Sequence, residues 1–184
     1  MAGPGPGRVL FSEGVLQARV AELGRTIARD YAGQTPLVIG VLQGTFLFMA
    51  DLVRATPIEL TTDFLVVSSY GGPRSSGEVR LIADVSTPVA GRDVILVEDI
   101  VDTGLTLAYL RGTLEARRPK SLRACVLLDK RARRRVEVAL DYVGFTVPNV
   151  FVVGYGFDCG GLYRNLPYVA AVDDGPAAQC VIEP

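Results

Sequence analysis

The stretch V94-I-L-V-E-D-I-V-D-T-G-L-T-L107 runs four apolar residues straight into three carboxylates, Glu98, Asp99 and Asp102, and follows them at once with Thr103-Gly104-Leu105-Thr106. Val94 to Val97 reads as a buried strand, and about Leu105 to Arg117 as the helix behind it. Between a strand end and a helix start, backbone N–H groups are free and the helix dipole favours negative charge. Thr103 and Thr106 add hydroxyl donors, and Gly104 lets an oxyanion approach the backbone closely. Asp102 to Thr106 is therefore a candidate phosphate cradle. It lacks the G-x-x-x-x-G-K-[ST] spacing of a nucleotide P-loop, which argues against an NTPase.

Carboxylates and phosphates repel, so Glu98 and Asp99 call for a ligand that reconciles them. Their natural partners are sugar hydroxyls and Mg²⁺ bridging to further phosphates, and a phosphorylated ribose offers both. A generic strand, an exposed acidic turn and a Thr-Gly helix start would have the same spacing. The local pattern alone does not choose between the two.

Outward from this segment, Leu16, Val20, Leu23, Ile27 and Tyr31 recur at spacings of three and four. They predict an amphipathic helix over residues 12–31, with Ser12 as N-cap and Gly33 as the stop. Strand, tight turn and helix are expected over 37–42 and 45–54. A β-branched strand follows at 59–68, then a long mobile loop through the turn formers Y70-G-G-P-R-S-S-G-E78. Further strands are expected at 79–83, 122–128, 138–143, 150–155 and 168–172. Apolar strands followed by helices imply a parallel sheet covered on both faces, with ligands beyond the carboxyl ends of the strands.

The 184 residues carry a net charge of −1, so no global field draws the chain to nucleic acid or a membrane surface. We expect one domain over residues 8–184 behind a flexible tail, Met1 to Gly7. The tail has no apolar signal region, and no later apolar run approaches a spanning length. Cys125, Cys159 and Cys180 are odd in number and widely spaced, suggesting neither a disulfide framework nor a zinc site, and a reducing cytoplasm fits. There is no histidine, so acid or base chemistry falls to carboxylate, Lys, Tyr or Cys.

V97-E-D-I-V-D-T-G-L-T106 resembles the phosphoribosyl-pyrophosphate (PRPP) motif of the type I phosphoribosyltransferases, in the version found in hypoxanthine-guanine phosphoribosyltransferases. The resemblance continues, in the family's order, through G40-V-L-Q-G44, F64-L-V-V-S-S-Y70, L127-L-D-K130, D141-Y-V-G-F145, F151-V-V-G-Y-G-F-D158 and Tyr163-Arg-Asn-Leu-Pro. It implies an α/β fold, a parallel twisted sheet flanked by helices with a small hood formed by the chain ends. It also implies transfer of a phosphoribosyl group from PRPP to a 6-oxopurine, with Mg²⁺, in a cytoplasmic homodimer or homotetramer.

By that resemblance, Glu98 and Asp99 would hold the ribose hydroxyls, and Asp102, Thr103, Gly104, Leu105 and Thr106 the 5′-phosphate. Asp102 would also face the purine N7 as general base. Lys130 would donate to the 6-oxygen, Phe151 would stack on the purine, and Val152 would contact it through its backbone. Asp158 would lie at the purine side and hold Mg²⁺ with the pyrophosphate, Glu98 and Asp99 being the other metal residues. Gln43, Gly44 and Arg164 would approach the pyrophosphate, and Ser69-Tyr70 would begin a lid. Gln43 departs from the family, which commonly has Lys or Arg there.

Each role has a plainer counterpart. Lys130 opens K130-R-A-R-R-R135, and basic runs are usually solvated faces, although this one sits at a strand end. Phe151 suits a core. F151-V-V-G-Y-G, with Asp173 and Asp174 some twenty residues on, looks like the start of a dinucleotide fingerprint but does not complete it. Two rival functions stay open: a PRPP-sensing regulator of the same fold that binds RNA or DNA, and an enzyme of this fold for xanthine, adenine or uracil.

Overall fold

The computed structural model describes residues 7–70 and 78–172. The central sheet has six strands in the order β4-β3-β2-β5-β6-β7. These are β2 Leu37–Leu42, β3 Thr61–Tyr70, β4 Glu78–Ala83, β5 Asp93–Val101, β6 Ser121–Asp129 and β7 Tyr142–Thr146. Every pairing is parallel except the edge hairpin of β3 and β4. Successive residues of β2, β5 and β6 are buried because helices cover both faces, which is why these strands read as unbroken apolar runs.

On one face, α1 (Glu13–Asp30) and α2 (Phe46–Arg54) pack Leu16, Val20, Ile27, Phe48 and Leu52 against Ile95, Val97, Cys125 and Leu127. On the other, α3 (Leu105–Glu115) packs Leu107, Leu110 and Leu114 against Ile39, Leu65, Leu96 and Val126. A second, antiparallel sheet in the order β1-β9-β8 joins β1 Val9–Phe11 to β9 Val169–Val172 and β8 Phe151–Val153, building a hood from segments near both ends of the chain.

Several expectations change in detail. β5 continues past Val97 to Val101, because its pairing with β6 runs on from Glu98↔Val126 to Val101↔Asp129. Glu98 and Asp99 are thus strand residues, not an exposed turn. The strand expected at 138–143 starts only at Tyr142. Val138 and Leu140 still pack against the α3-side core, which accounts for the apolar alternation. The strand expected at 150–155 ends at Val153, because Gly154, Tyr155 and Gly156 turn the chain with φ of 92°, 51° and 101°. It belongs to the hood rather than the parallel sheet. The three-residue β1 was too short to read.

Ser12 does stand at the N-cap position of α1, but its side chain makes no capping bond. Cys125 is free and buried, whereas Cys159 is disulfide-bonded, contrary to the expectation drawn from cysteine spacing. Residues 1–6 of the expected tail, 71–77 of the expected loop, and Asp173 and Asp174 lie outside the described residues. No helix among the described residues is long and apolar enough to cross a membrane.

Candidate active site

β2, β5 and β6 are neighbours and parallel, so their carboxyl ends deliver three loops to one place: Gln43-Gly44-Thr45, Asp102-Thr103-Gly104 and Lys130 with its basic run. Two adjoining cavities open there. One, of about 290 Å³, is lined by Leu42, Gln43, Gly44, Glu98, Asp99, Asp102, Thr103, Gly104 and Thr106, among others. The other, of about 510 Å³, is lined by Gly44, Asp99, Ile100, Asp102, Lys130, Arg133, Phe151, Val152, Phe157, Asp158 and Arg164. Gly44, Asp99, Ile100 and Asp102 are common to both, so the cavities form one continuous cleft.

The first cavity ends at the amino terminus of α3. Gly104 is its N-cap with φ 85°, and a Cβ there would lie 2.3 Å from the carbonyl oxygen of Val136. Glycine is required by both the left-handed backbone and the close approach. The first N–H groups of α3 lack helical acceptors, so the helix presents donors and a positive dipole end to this cavity. Leu105 is not among the lining residues; its N–H donates to Thr103 Oγ1 at 3.4 Å.

Asp99 stands where the cavities meet, and Glu98 beside it lines the first. Glu98 is 7 % exposed, and its Oε2 is buried without a hydrogen-bond partner. Burial, then the neighbouring Asp99 charge, pushes the Glu98 carboxyl well above its ordinary range. Asp99 is raised too, chiefly by burial and further by Asp158, against the bond it accepts from the Ile100 N–H at 2.7 Å and the nearby Arg164. Its carboxylate rests on Gly44, where a Cβ would fall 1.7 Å from Oδ2. Any side chain at 44 would displace Asp99. The Leu42–Gln43 peptide bond is cis, and Gln43 is exposed at the cavity wall.

Both carboxylates, Glu98 buried and Asp99 partly so, have raised proton affinity and so favour a neighbouring positive charge. Among the described residues no group of three or more His, Cys, Asp or Glu could hold a metal by itself. The pair nonetheless fits Mg²⁺, which takes one or two carboxylates and completes its shell with water and substrate phosphate oxygens. Asp158 is less free, since Arg164 Nη2 pairs with its Oδ1 at 2.7 Å and the Gly161 N–H donates to its Oδ2 at 2.7 Å.

The second cavity carries the remaining groups. Lys130 is 6 % exposed, with Nζ 4.0 Å from Asp102 Oδ2; Arg133 Nη1 lies 3.1 Å from the same oxygen, and Asp102 Oδ1 is buried without a partner. Burial lowers the Lys130 pKa, partly offset by Asp102. Phe151, 36 % exposed, is not core, and Val152 beside it is buried. Arg164 Nη1 donates to the Gly156 carbonyl at 2.5 Å. Ser69 and Tyr70 are the last residues of β3, paired with Val79 and Glu78 of β4. The lid expected after them lies outside the described residues. Sequence reasoning missed Arg133 and Phe157. Arg133 was hidden in the basic run, and Phe157 reads as any hydrophobic residue.

A mostly parallel α/β sheet with a hood, and with a helix start and an acidic pair lining one cleft at its carboxyl edge, defines the class as a transferase of the phosphoribosyl type. The phosphoribosyl transferase domain matches residues 13–159, and the chain belongs to the phosphoribosyltransferase family. It is 50 % identical over 166 residues to the hypoxanthine-guanine phosphoribosyltransferase of Lactococcus lactis, covering 90 % of each chain. It is 52 % identical over 163 residues, 88 % of this chain, to the bifunctional protein TilS/HprT of Listeria monocytogenes, of whose length it spans only 25 %. The crystal structure of a hypoxanthine-guanine phosphoribosyltransferase from Bacillus anthracis superposes with a TM-score of 0.85 at 45 % identity, covering 91 % of this chain and 99 % of that one.

Proposed function

We propose that the protein is a purine-salvage enzyme that transfers the 5-phosphoribosyl group of PRPP to N9 of hypoxanthine or guanine, giving IMP or GMP and pyrophosphate. The observation that carries this reading is the order of groups along one cleft: the anion-binding start of α3, the acidic pair Glu98 and Asp99, then Lys130 and Phe151. Phosphate, ribose and base follow one another in that order in the product.

In this reading Asp102 to Thr106 hold the 5′-phosphate, while Glu98 and Asp99 accept hydrogen bonds from the ribose hydroxyls. As the bond from C1′ to pyrophosphate breaks, positive charge develops on the ribose, and the acidic pair stabilises it. Gln43, Gly44 and Arg164 face the departing pyrophosphate. Glu98, Asp99 and Asp158 would hold Mg²⁺, which would supply charge neutralisation for the pyrophosphate when bound. N9 of the purine forms the new bond to C1′, and Asp102 receives the proton from N7. Lys130 donates to the 6-oxygen, Phe151 stacks on the ring, and Val152 contacts it through the backbone. Residues 8–184 work as one domain, in a cytoplasmic homodimer or homotetramer.

Incubation with PRPP, Mg²⁺ and each of hypoxanthine, guanine, xanthine and adenine tests this reading. Nucleotide from hypoxanthine and guanine is expected. Product from xanthine alone would reassign the base, and PRPP binding with no product from any base would favour a PRPP-sensing regulator.

A further inference from the structure

Within the basic run, Arg131, Arg133 and Arg135 are exposed, but the Arg134 side chain is only 9 % exposed. Arg134 folds back beneath the loop that follows β5. Its guanidinium pairs with the buried carboxylate of Asp129, Nε donates to the carbonyl of Asp102 at 3.2 Å, and Nη2 reaches the carbonyl of Val101 at 3.5 Å. Its Cδ would lie 3.0 Å from a Cβ placed on Gly104. The next two residues continue the lock, the N–H groups of Arg135 and Val136 donating to the Thr103 carbonyl at 2.9 and 3.1 Å.

Three successive carbonyls, those of residues 101, 102 and 103, are therefore held by the 134–136 segment. A trans peptide is planar, with its C=O and N–H pointing opposite ways. Fixing these carbonyls on one side turns the N–H groups of Asp102, Thr103 and Gly104 to the other, and all three residues line the first cavity. Arg134 also ties this loop to Asp129, the last residue of β6, which adjoins Lys130. The phosphate and base ends of the cleft share that anchor.

We infer that Arg134 is a positioning residue for phosphoribosyl transfer: it aims the backbone donors of the 102–104 loop at the substrate phosphate without touching substrate. The inference rests on the functional reading above. Arg131 supplies an internal control. Its Nε pairs with the same Asp129 at 2.8 Å, yet it is exposed and makes no bond to the loop.

The test is steady-state kinetics on the native protein and the Arg134→Gln, Arg134→Lys and Arg131→Gln variants, with PRPP and hypoxanthine varied separately. Displacement of a cradle by about 1 Å costs on the order of 10²-fold, so both Arg134 variants should raise the KM for PRPP by about 10–100-fold while the KM for hypoxanthine stays near native. Lysine keeps the charge opposite Asp129 but cannot reproduce the planar fork, so it should not rescue. Arg131→Gln should behave as native. KM does not depend on how much of a sample is folded. Should Arg134→Gln fail to fold, Arg134→Lys carries the same comparison. A native KM for PRPP in the Arg134 variants, with only lower thermal stability or kcat, would overturn the inference, and so would an equal rise in Arg131→Gln. Native protein that makes no nucleotide from any base would instead overturn the functional reading.

Discussion

Lys130 Nζ lies 4.0 Å from Asp102 Oδ2, joining the end of β6 to the loop after β5 where the two cavities meet. In the proposed reaction this pairs the group that reads the 6-oxygen with the group that receives the N7 proton. Asp102→Asn keeps the shape of the loop but removes the proton acceptor. We expect kcat to fall by roughly 10²–10⁴-fold, the usual worth of a general base, with PRPP affinity little changed. Near-native turnover would remove Asp102 from the chemistry.

In the proposed reaction Lys130 also sets the choice of base. An ammonium has three donors and no acceptor, so it pairs with a 6-oxygen but meets another donor in the 6-amino group of adenine. Sites built on such a bond reject the analogue by roughly 10⁴–10⁵-fold, and adenine should be a very poor substrate. Lys130→Gln should lower kcat/KM for hypoxanthine and narrow its advantage over adenine. An equal loss for both bases would mean that Lys130 supports the site without reading the base. Because burial lowers the Lys130 pKa, the preference should also decline with rising pH sooner than an ordinary lysine would allow.

Gln43 lines the first cavity with an amide that is neutral and exposed. A charge-assisted bond to an anion is roughly twice as strong as a neutral one. Gln43→Lys should therefore lower the KM for PRPP, and the gain should shrink as salt rises. An unchanged KM at low ionic strength would place residue 43 outside the pyrophosphate site.

Asp63 fastens β3 to the segment before β5. Its carboxylate accepts the N–H groups of Phe64, Ser86 and Thr87 at 2.7, 2.9 and 2.7 Å and the Ser86 hydroxyl at 3.2 Å. Burial pushes its pKa up, but the hydrogen bonds from Thr87, Phe64 and Ser86 outweigh it and hold the value to about 2. Since this lies below the unfolded value of about 3.9, the contribution is present at neutral pH and lost as pH falls through the window between the two. The difference in thermal midpoint between native protein and Asp63→Asn should shrink across that acid window. A pH-independent difference would show that Asp63 acts by shape rather than charge.

The parallel sheet was legible because burial on both faces leaves unbroken apolar runs, and the wall of the first cavity because Asp102, Thr103, Gly104 and Thr106 are near neighbours in sequence. Other features depend on chain segments far apart in sequence. β1 is three residues long and takes its identity from pairing with β9. The early end of β8 depends on Tyr155 adopting a positive φ that no residue type announces. Arg133 and Arg134 are neighbours of one type, yet one is half exposed beside Asp102 and the other is largely covered against Asp129. Composition treats them alike. Only the fold of the 130–136 segment separates them.

The most direct test of the central claim is to mix the native protein with PRPP, Mg²⁺ and hypoxanthine and to measure IMP and pyrophosphate in the same sample. The proposed reaction requires both to appear together in equal amounts, and neither to form when the base is omitted. Pyrophosphate without IMP would indicate hydrolysis of PRPP, and the absence of both products would contradict phosphoribosyl transfer to hypoxanthine.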